Sequence, residues 1–156
     1  MSELKVSLYN PKKHRKKVLA IFKSRPDIFP DNEMMRIIEE TKLPSDKTHY
    51  KTVAGCGKKV AGYGEAVLNP QKKLWNLNWF AVSEQFQRQG VGSLLINSIV
   101  EWLRKKKVNE IQAETCSCDG EAPARAFYTN KGFVPTKTEK DGYAKGHSKI
   151  TFLKQL

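Results

Sequence analysis

Residues 86–95 read FQRQGVGSLL: two glycines stand between a glutamine–arginine pair and the start of an apolar stretch. A strand-to-helix turn of this kind aims successive backbone N–H groups at one point, and the positive end of the helix adds to the field there. The chemistry on offer is the grip of a phosphate group. Three glycine loops do this. A Walker loop needs Lys-Ser/Thr directly after its last glycine, but Gly92 is followed by Ser93-Leu94. A dinucleotide fingerprint needs a third glycine where Leu95 stands. The pattern that remains is Gln/Arg-x-x-Gly-x-Gly, met by Gln87-Arg88-Gln89-Gly90-Val91-Gly92, although a tight turn with no ligand has the same outline. Other side chains able to do chemistry lie apart: Glu65, Glu121, Arg125, Tyr128, His49, His147 and the pair Cys116/Cys118.

Periodicity shows which elements must hold these residues. Lys5–Tyr9 reads as a first strand, and Asn10-Pro11 as the cap and first residue of a helix running to about Ser24. After the break at RPDIFP, Asp31 or Asn32 can cap a second helix carrying Met34, Ile37, Ile38 and Thr41. His49–Cys56 and Val60–Leu68 read as a hairpin turning at Gly57, and Trp75–Val82 as a long strand. Gly90–Lys107 reads as an amphipathic helix with Val91, Leu95, Ile99 and Trp102 on one stripe. A strand at Asn109–Thr115, a helix at Ala122–Lys131 ended by Gly132, and short strands at Phe133–Pro135 and Lys149–Leu153 complete the chain. Short links between early strands predict antiparallel pairing, and the strand–helix–strand unit from Trp75 to Thr115 predicts a parallel, right-handed crossover. The fold class is a mixed α/β sheet flanked by helices, in a single domain over residues 1–156.

Composition narrows the partners. The chain carries 28 Lys+Arg against 16 Asp+Glu, a formal charge of +12. Such a field favours phosphorylated cofactors and polyanions. The basic clusters at Lys12–Lys17 and Arg104–Lys107 lack the interleaved aromatics that stack on bases, so nucleic acid is a possible partner and not the favoured one. The apolar runs fall short of a membrane span, and the first ten residues lack the apolar core of a signal peptide. Three cysteines suit a reducing compartment, and a cytoplasmic location is expected. Cys116-Ser117-Cys118 has no second pair nearby, so no metal is expected, and the segment reads as plain loop.

The stretch LNWFAVSEQFQRQGVGSLLINSIVEWL, followed by ARAFYTNKGF and the ending DGYAKGHSKITFLKQL, resembles the GNAT superfamily of acyl-CoA-dependent N-acyltransferases from about Val53 onward. The resemblance implies a mostly antiparallel sheet whose central parallel strands splay to admit acetyl-CoA as cosubstrate. Main-chain groups of Phe80, Ala81 and Val82 would pair with the pantetheine arm. Gln87, Arg88, Gln89, Gly90, Val91, Gly92 and Ser93 would hold the pyrophosphate. Arg125 could reach a phosphate, and Tyr128 matches the tyrosine that protonates the leaving sulfur. Direct transfer to a primary amine in a ternary complex is the implied reaction.

Two positions depart from the family pattern. Asn76 stands where several branches carry an acidic base; an amide can orient water or substrate but takes no proton. Glu65 on the neighbouring strand is the substitute base, beside a water chain or an amine that deprotonates in solvent. Glu121 replaces a frequent asparagine seven residues before the tyrosine, at a cofactor contact. A non-catalytic acyl-CoA-sensing or nucleic-acid-binding module of the same fold is the alternative. The acceptor amine is left open, as is the choice between monomer and homodimer.

Overall fold

The computed structural model describes residues 3–156. Seven strands form one sheet in the order β1-β2-β3-β4-β5-β7-β6. The strands are β1 (Leu4–Leu8), β2 (His49–Cys56), β3 (Lys59–Asn69), β4 (Leu74–Val82), β5 (Glu110–Cys116), β6 (Val134–Ala144) and β7 (His147–Gln155). Helices α1 (Pro11–Lys23) and α2 (Asp31–Glu40) follow β1; α3 (Val91–Lys105) links β4 to β5, and α4 (Ala122–Asn130) follows β5. Every pairing is antiparallel except β4 with β5, the crossover predicted from the sequence.

Local chemistry explains most boundaries. Asn10 caps α1 by accepting from the Lys12 N–H at 3.1 Å, with Pro11 in the first helical position. Gly57 turns the β2–β3 hairpin at φ 63°, and Gly132 ends α4 at φ 88°. Expectation and structure differ at two places. Pro30, not Asp31 or Asn32, occupies the cap of α2, and no side chain bonds there. The short strand expected at Phe133–Pro135 is instead an eleven-residue strand, Val134–Ala144, paired with β7 in a long hairpin. Its residues are almost all exposed, so no buried face marks it.

The sheet has a helix layer on each face. One buries Tyr9, Val18, Phe22, Ile37, Tyr63 and Trp79 beneath α1 and α2. The other packs Leu77, Ile96, Ile99 and Leu103 of the β4–α3 unit with Tyr128 and Phe133. β4 serves both layers because its alternation changes phase midway. Gly64 pairs with Phe80 and Ala66 with Leu77, so Asn78 and Trp79 together oppose Glu65 in a β-bulge. Leu77 therefore faces α3, while Trp79 faces α2.

Candidate active site

The bulge lies where β4 leaves β5. Their pairing runs only from Trp75↔Ile111 through Asn76↔Gln112 to Leu77↔Ala113. Beyond it, Asn78–Val82 has no β5 partner, and the gap opens into a cleft of about 1640 Å³. The Gln112 amide donates to the Asn76 side-chain oxygen across the last pairs, at 2.9 Å. Asn76 thus fastens the point of divergence, with its acceptor oxygen committed.

At one end of the cleft lies the glycine loop. The first bond into α3 runs from the Leu94 N–H to the Gly90 carbonyl, at 3.0 Å. Among the described residues, no acceptor meets the N–H groups of Val91, Gly92 and Ser93, the free donors of a helix start. Gly90 has φ 81° and open space where a side chain would stand; Arg88 is also left-handed, at φ 62°. Gly92 is glycine for a different reason: a Cβ there would sit 2.9 Å from the Phe127 ring. Gln87, Arg88, Gly90, Val91, Gly92 and Ser93 all line the cleft. Gln89 does not, and its amide instead donates to the Gln85 carbonyl at 3.2 Å. The amide of Gln87 donates to the Val82 carbonyl at 3.1 Å, tying the loop to the end of β4.

Phe80, Ala81 and Val82 form the β4 wall, and Tyr128 stands opposite on α4. The Tyr128 ring is held against Phe127, Phe133 and Phe152, and its hydroxyl makes no hydrogen bond among the described residues. Burial, reinforced by the Glu121 carboxylate, pushes its pKa up, so the phenol keeps its proton at neutral pH. Glu121 also lines the cleft.

Glu65 and Arg125 do not line the cleft. Glu65 is fully buried under α2, where it accepts from the Tyr63 hydroxyl at 2.6 Å. Lys51 faces it across the strands and donates to the Glu40 and Leu43 carbonyls at the end of α2, at 2.5 and 2.8 Å. The Trp79 indole N–H donates to the Glu40 carboxylate. Glu65 therefore belongs to a polar network that seats α2, out of reach of a substrate nitrogen. The Arg125 guanidinium donates to the carbonyls of Cys116 and Cys118, at 2.6 and 2.8 Å, and braces that loop. His49 is occupied by Asp46, whereas His147 lies against Cys116.

Sequence reading missed the charge of the cleft. Six carboxylates line it: Asp27, Glu33, Glu40, Glu84, Glu114 and Glu121. Against them stand the guanidiniums of Arg25, Arg36 and Arg88; no lysine lines the cleft, in a chain rich in lysine. Arg25 pairs with Asp27, Arg36 with Glu40 and Lys149 with Glu114. Glu33 and Glu121 have no such cation among the described residues. They come from α2 and the start of α4: burial, then the Glu121 charge, raises the Glu33 pKa against the pull of Arg36. No local motif marks this pair, because α2 and the start of α4 meet only in the fold.

Comparisons with known proteins bear on this geometry. The model of the acetyltransferase (GNAT) family matches residues 17–133. No curated protein sequence matches the chain. Solved structures share its fold. One is a Desulfovibrio desulfuricans protein described as a GNAT-family acetyltransferase, 23% identical with a TM-score of 0.85, the match covering 98% of this chain and 99% of that one. Another is an aminoglycoside 6'-N-acetyltransferase complexed with coenzyme A, 13% identical at TM-score 0.79, over 97% and 96%. A third is the ribosomal-protein-S18-alanine N-acetyltransferase of Escherichia coli, 18% identical at TM-score 0.75, over 98% and 94%.

Proposed function

Since the chain belongs to the GNAT acetyltransferase family, we propose that it moves an acetyl group from acetyl-CoA to a primary amine on a cationic acceptor. The observation that carries the acceptor class is the lysine-free, carboxylate-lined cleft between the glycine loop and Tyr128.

Acyl transfer from a thioester asks for donors to the phosphates, a neutral amine, and a proton for the departing sulfur. The free N–H groups of Val91, Gly92 and Ser93, with Arg88 beside them, suit the pyrophosphate. The unpaired edge Asn78–Val82 suits an extended pantetheine arm running as an extra strand. Tyr128 supplies the proton to sulfur as the carbon–sulfur bond breaks; its raised pKa keeps that proton available. Glu33 and Glu121 attract the protonated acceptor. Glu33, whose pKa burial raises, takes the ammonium proton before the amine attacks. The +12 surface alone would argue against a polycation; the cleft lining reverses that locally.

Initial rates over a panel of primary amines at fixed acetyl-CoA test this reading. Polycationic amines and lysine-rich peptides are expected to show kcat/KM about 10-fold or more above neutral amines, a margin of about 1.4 kcal/mol. Glu33→Gln should remove most of that margin. Tyr128→Phe should lower kcat by about 10²-fold with little change in the KM for acetyl-CoA. A preference for neutral or anionic amines overturns the acceptor class. Absence of transfer to every amine, with no thermal stabilisation by acetyl-CoA, overturns the reaction itself.

A further inference from the structure

A Cys-x-Cys segment alone offers too few ligands for a metal, but the fold supplies what the local spacing lacks. Cys116 ends β5, Cys118 follows it, and the long β6–β7 hairpin returns His147 to the same place. The Sγ atoms of Cys116 and Cys118 and a ring nitrogen of His147 all lie within 4.8 Å of one another. The Cys116 Sγ to His147 Nδ1 separation is 3.6 Å. Tetrahedral zinc, with Zn–S near 2.3 Å and Zn–N near 2.0–2.1 Å, sets two such ligands about 3.5 Å apart. A carboxylate oxygen of Glu121 lies 3.7 Å from the Cys118 Sγ, but Glu121 stands outside the group of mutually close ligand atoms.

The surroundings hold this arrangement in place. The Cys118 N–H donates to the Cys116 Sγ at 3.1 Å, a contact that favours the thiolate. Arg125 clamps the carbonyls of both cysteines, at 2.6 and 2.8 Å. The intervening Ser117 is stapled to the residue after His147: its N–H donates to the Ser148 carbonyl at 2.9 Å, and its hydroxyl accepts from the Ser148 N–H at 3.0 Å. The two segments bearing the ligands are thus fixed to each other before any ion arrives. Hydrogen bonds of this kind, from the ligands' neighbours, are what orient ligands in a built metal site.

We propose that Cys116, Cys118 and His147 form a binding site for a thiophilic, tetrahedral divalent cation of the zinc type, with the fourth position open to water or to a ligand from the cleft. Two thiolates and an imidazole select zinc over the oxygen-loving magnesium and calcium. Binding releases the two thiol protons and joins the end of β5 to the start of β7 on the wall of the cleft.

The test uses the full chain, reduced, freed of metal and handled without oxygen. Zinc is titrated against a chromophoric chelator, and cobalt(II) serves as the spectroscopic probe. One zinc per chain is expected, together with thiolate-to-cobalt charge-transfer absorption and the intense visible bands of tetrahedral cobalt. Cys118→Ser, at a half-buried position, and His147→Gln, at an exposed one, should each weaken zinc binding by 10-fold or more while circular dichroism stays as in the parent. Cys56→Ser, at the end of β2, should leave binding unchanged. Binding that tracks Cys56, affinity equal across the variants, or cobalt spectra without thiolate absorption overturns the proposal. None of these readouts depends on acetyl transfer, so they stand apart from the proposed activity.

Discussion

Glu65 shows how one side chain's role turns on its surroundings. It is ionisable, sits one strand from the cleft, and yet faces the underside of α2. Burial raises its pKa against the opposing pull of the Tyr63 hydroxyl and Lys51; Glu40 adds to the rise and His49 counters it, while Tyr9 is near enough to feel its charge. A carboxyl whose folded pKa lies above its unfolded value favours the folded state most at low pH, and that contribution is lost as pH rises through the folded pKa. Urea unfolding of the parent and Glu65→Gln at pH 4.5 and 7.5 checks this. The variant should gain stability relative to the parent as pH rises. A gap that moves the other way would mean that the attraction of the Lys51 charge outweighs the burial of the carboxylate.

Among the elements, the loop into α3 uses its two glycines differently, and substitution separates them. Gly90→Ala meets no atom but forces a left-handed backbone on a residue with a Cβ, at a cost of about 1–2 kcal/mol. Gly92→Ala leaves the backbone unstrained and drives a methyl into Phe127, next to Tyr128, an overpacking worth about 1–3 kcal/mol. In denaturation, Phe127→Leu should recover part of the Gly92→Ala loss and none of the Gly90→Ala loss; equal coupling in both would refute the distinction. The loop was legible because glycine, helix periodicity and a strongly apolar strand fall in sequence order. The bulge at Asn78–Trp79 was not: Trp75, Leu77, Trp79 and Ala81 keep an unbroken alternation of buried apolar residues through it, so the change of phase leaves no trace in the pattern. The length of the polar β6 beyond Pro135 was missed for want of a buried face, and with it the return of His147 to the two cysteines.

At the level of the whole molecule, charge is segregated: lysine covers the outside, while carboxylates line the cleft. The two arrangements act over different ranges. With a Debye length of about 30 Å at 0.01 M salt, an approaching molecule meets the field of the entire basic surface; near 0.15 M, at about 8 Å, it senses only the part it is about to touch. The kinetic consequence is that the two substrates should respond to salt with opposite signs. Acetyl-CoA, an anion, is drawn in from afar, and its association rate constant should fall as ionic strength rises. A polycationic amine is turned away from afar and welcomed only at the cleft mouth, so its association rate constant should climb over the same range. Stopped-flow measurements at several salt concentrations would show two lines that diverge; parallel lines would mean that both encounters are governed by one field. A basic shell around an acidic cleft would then work as a sorting device, admitting the anionic donor readily from dilute solution and the cationic acceptor best where ions already crowd the space between them.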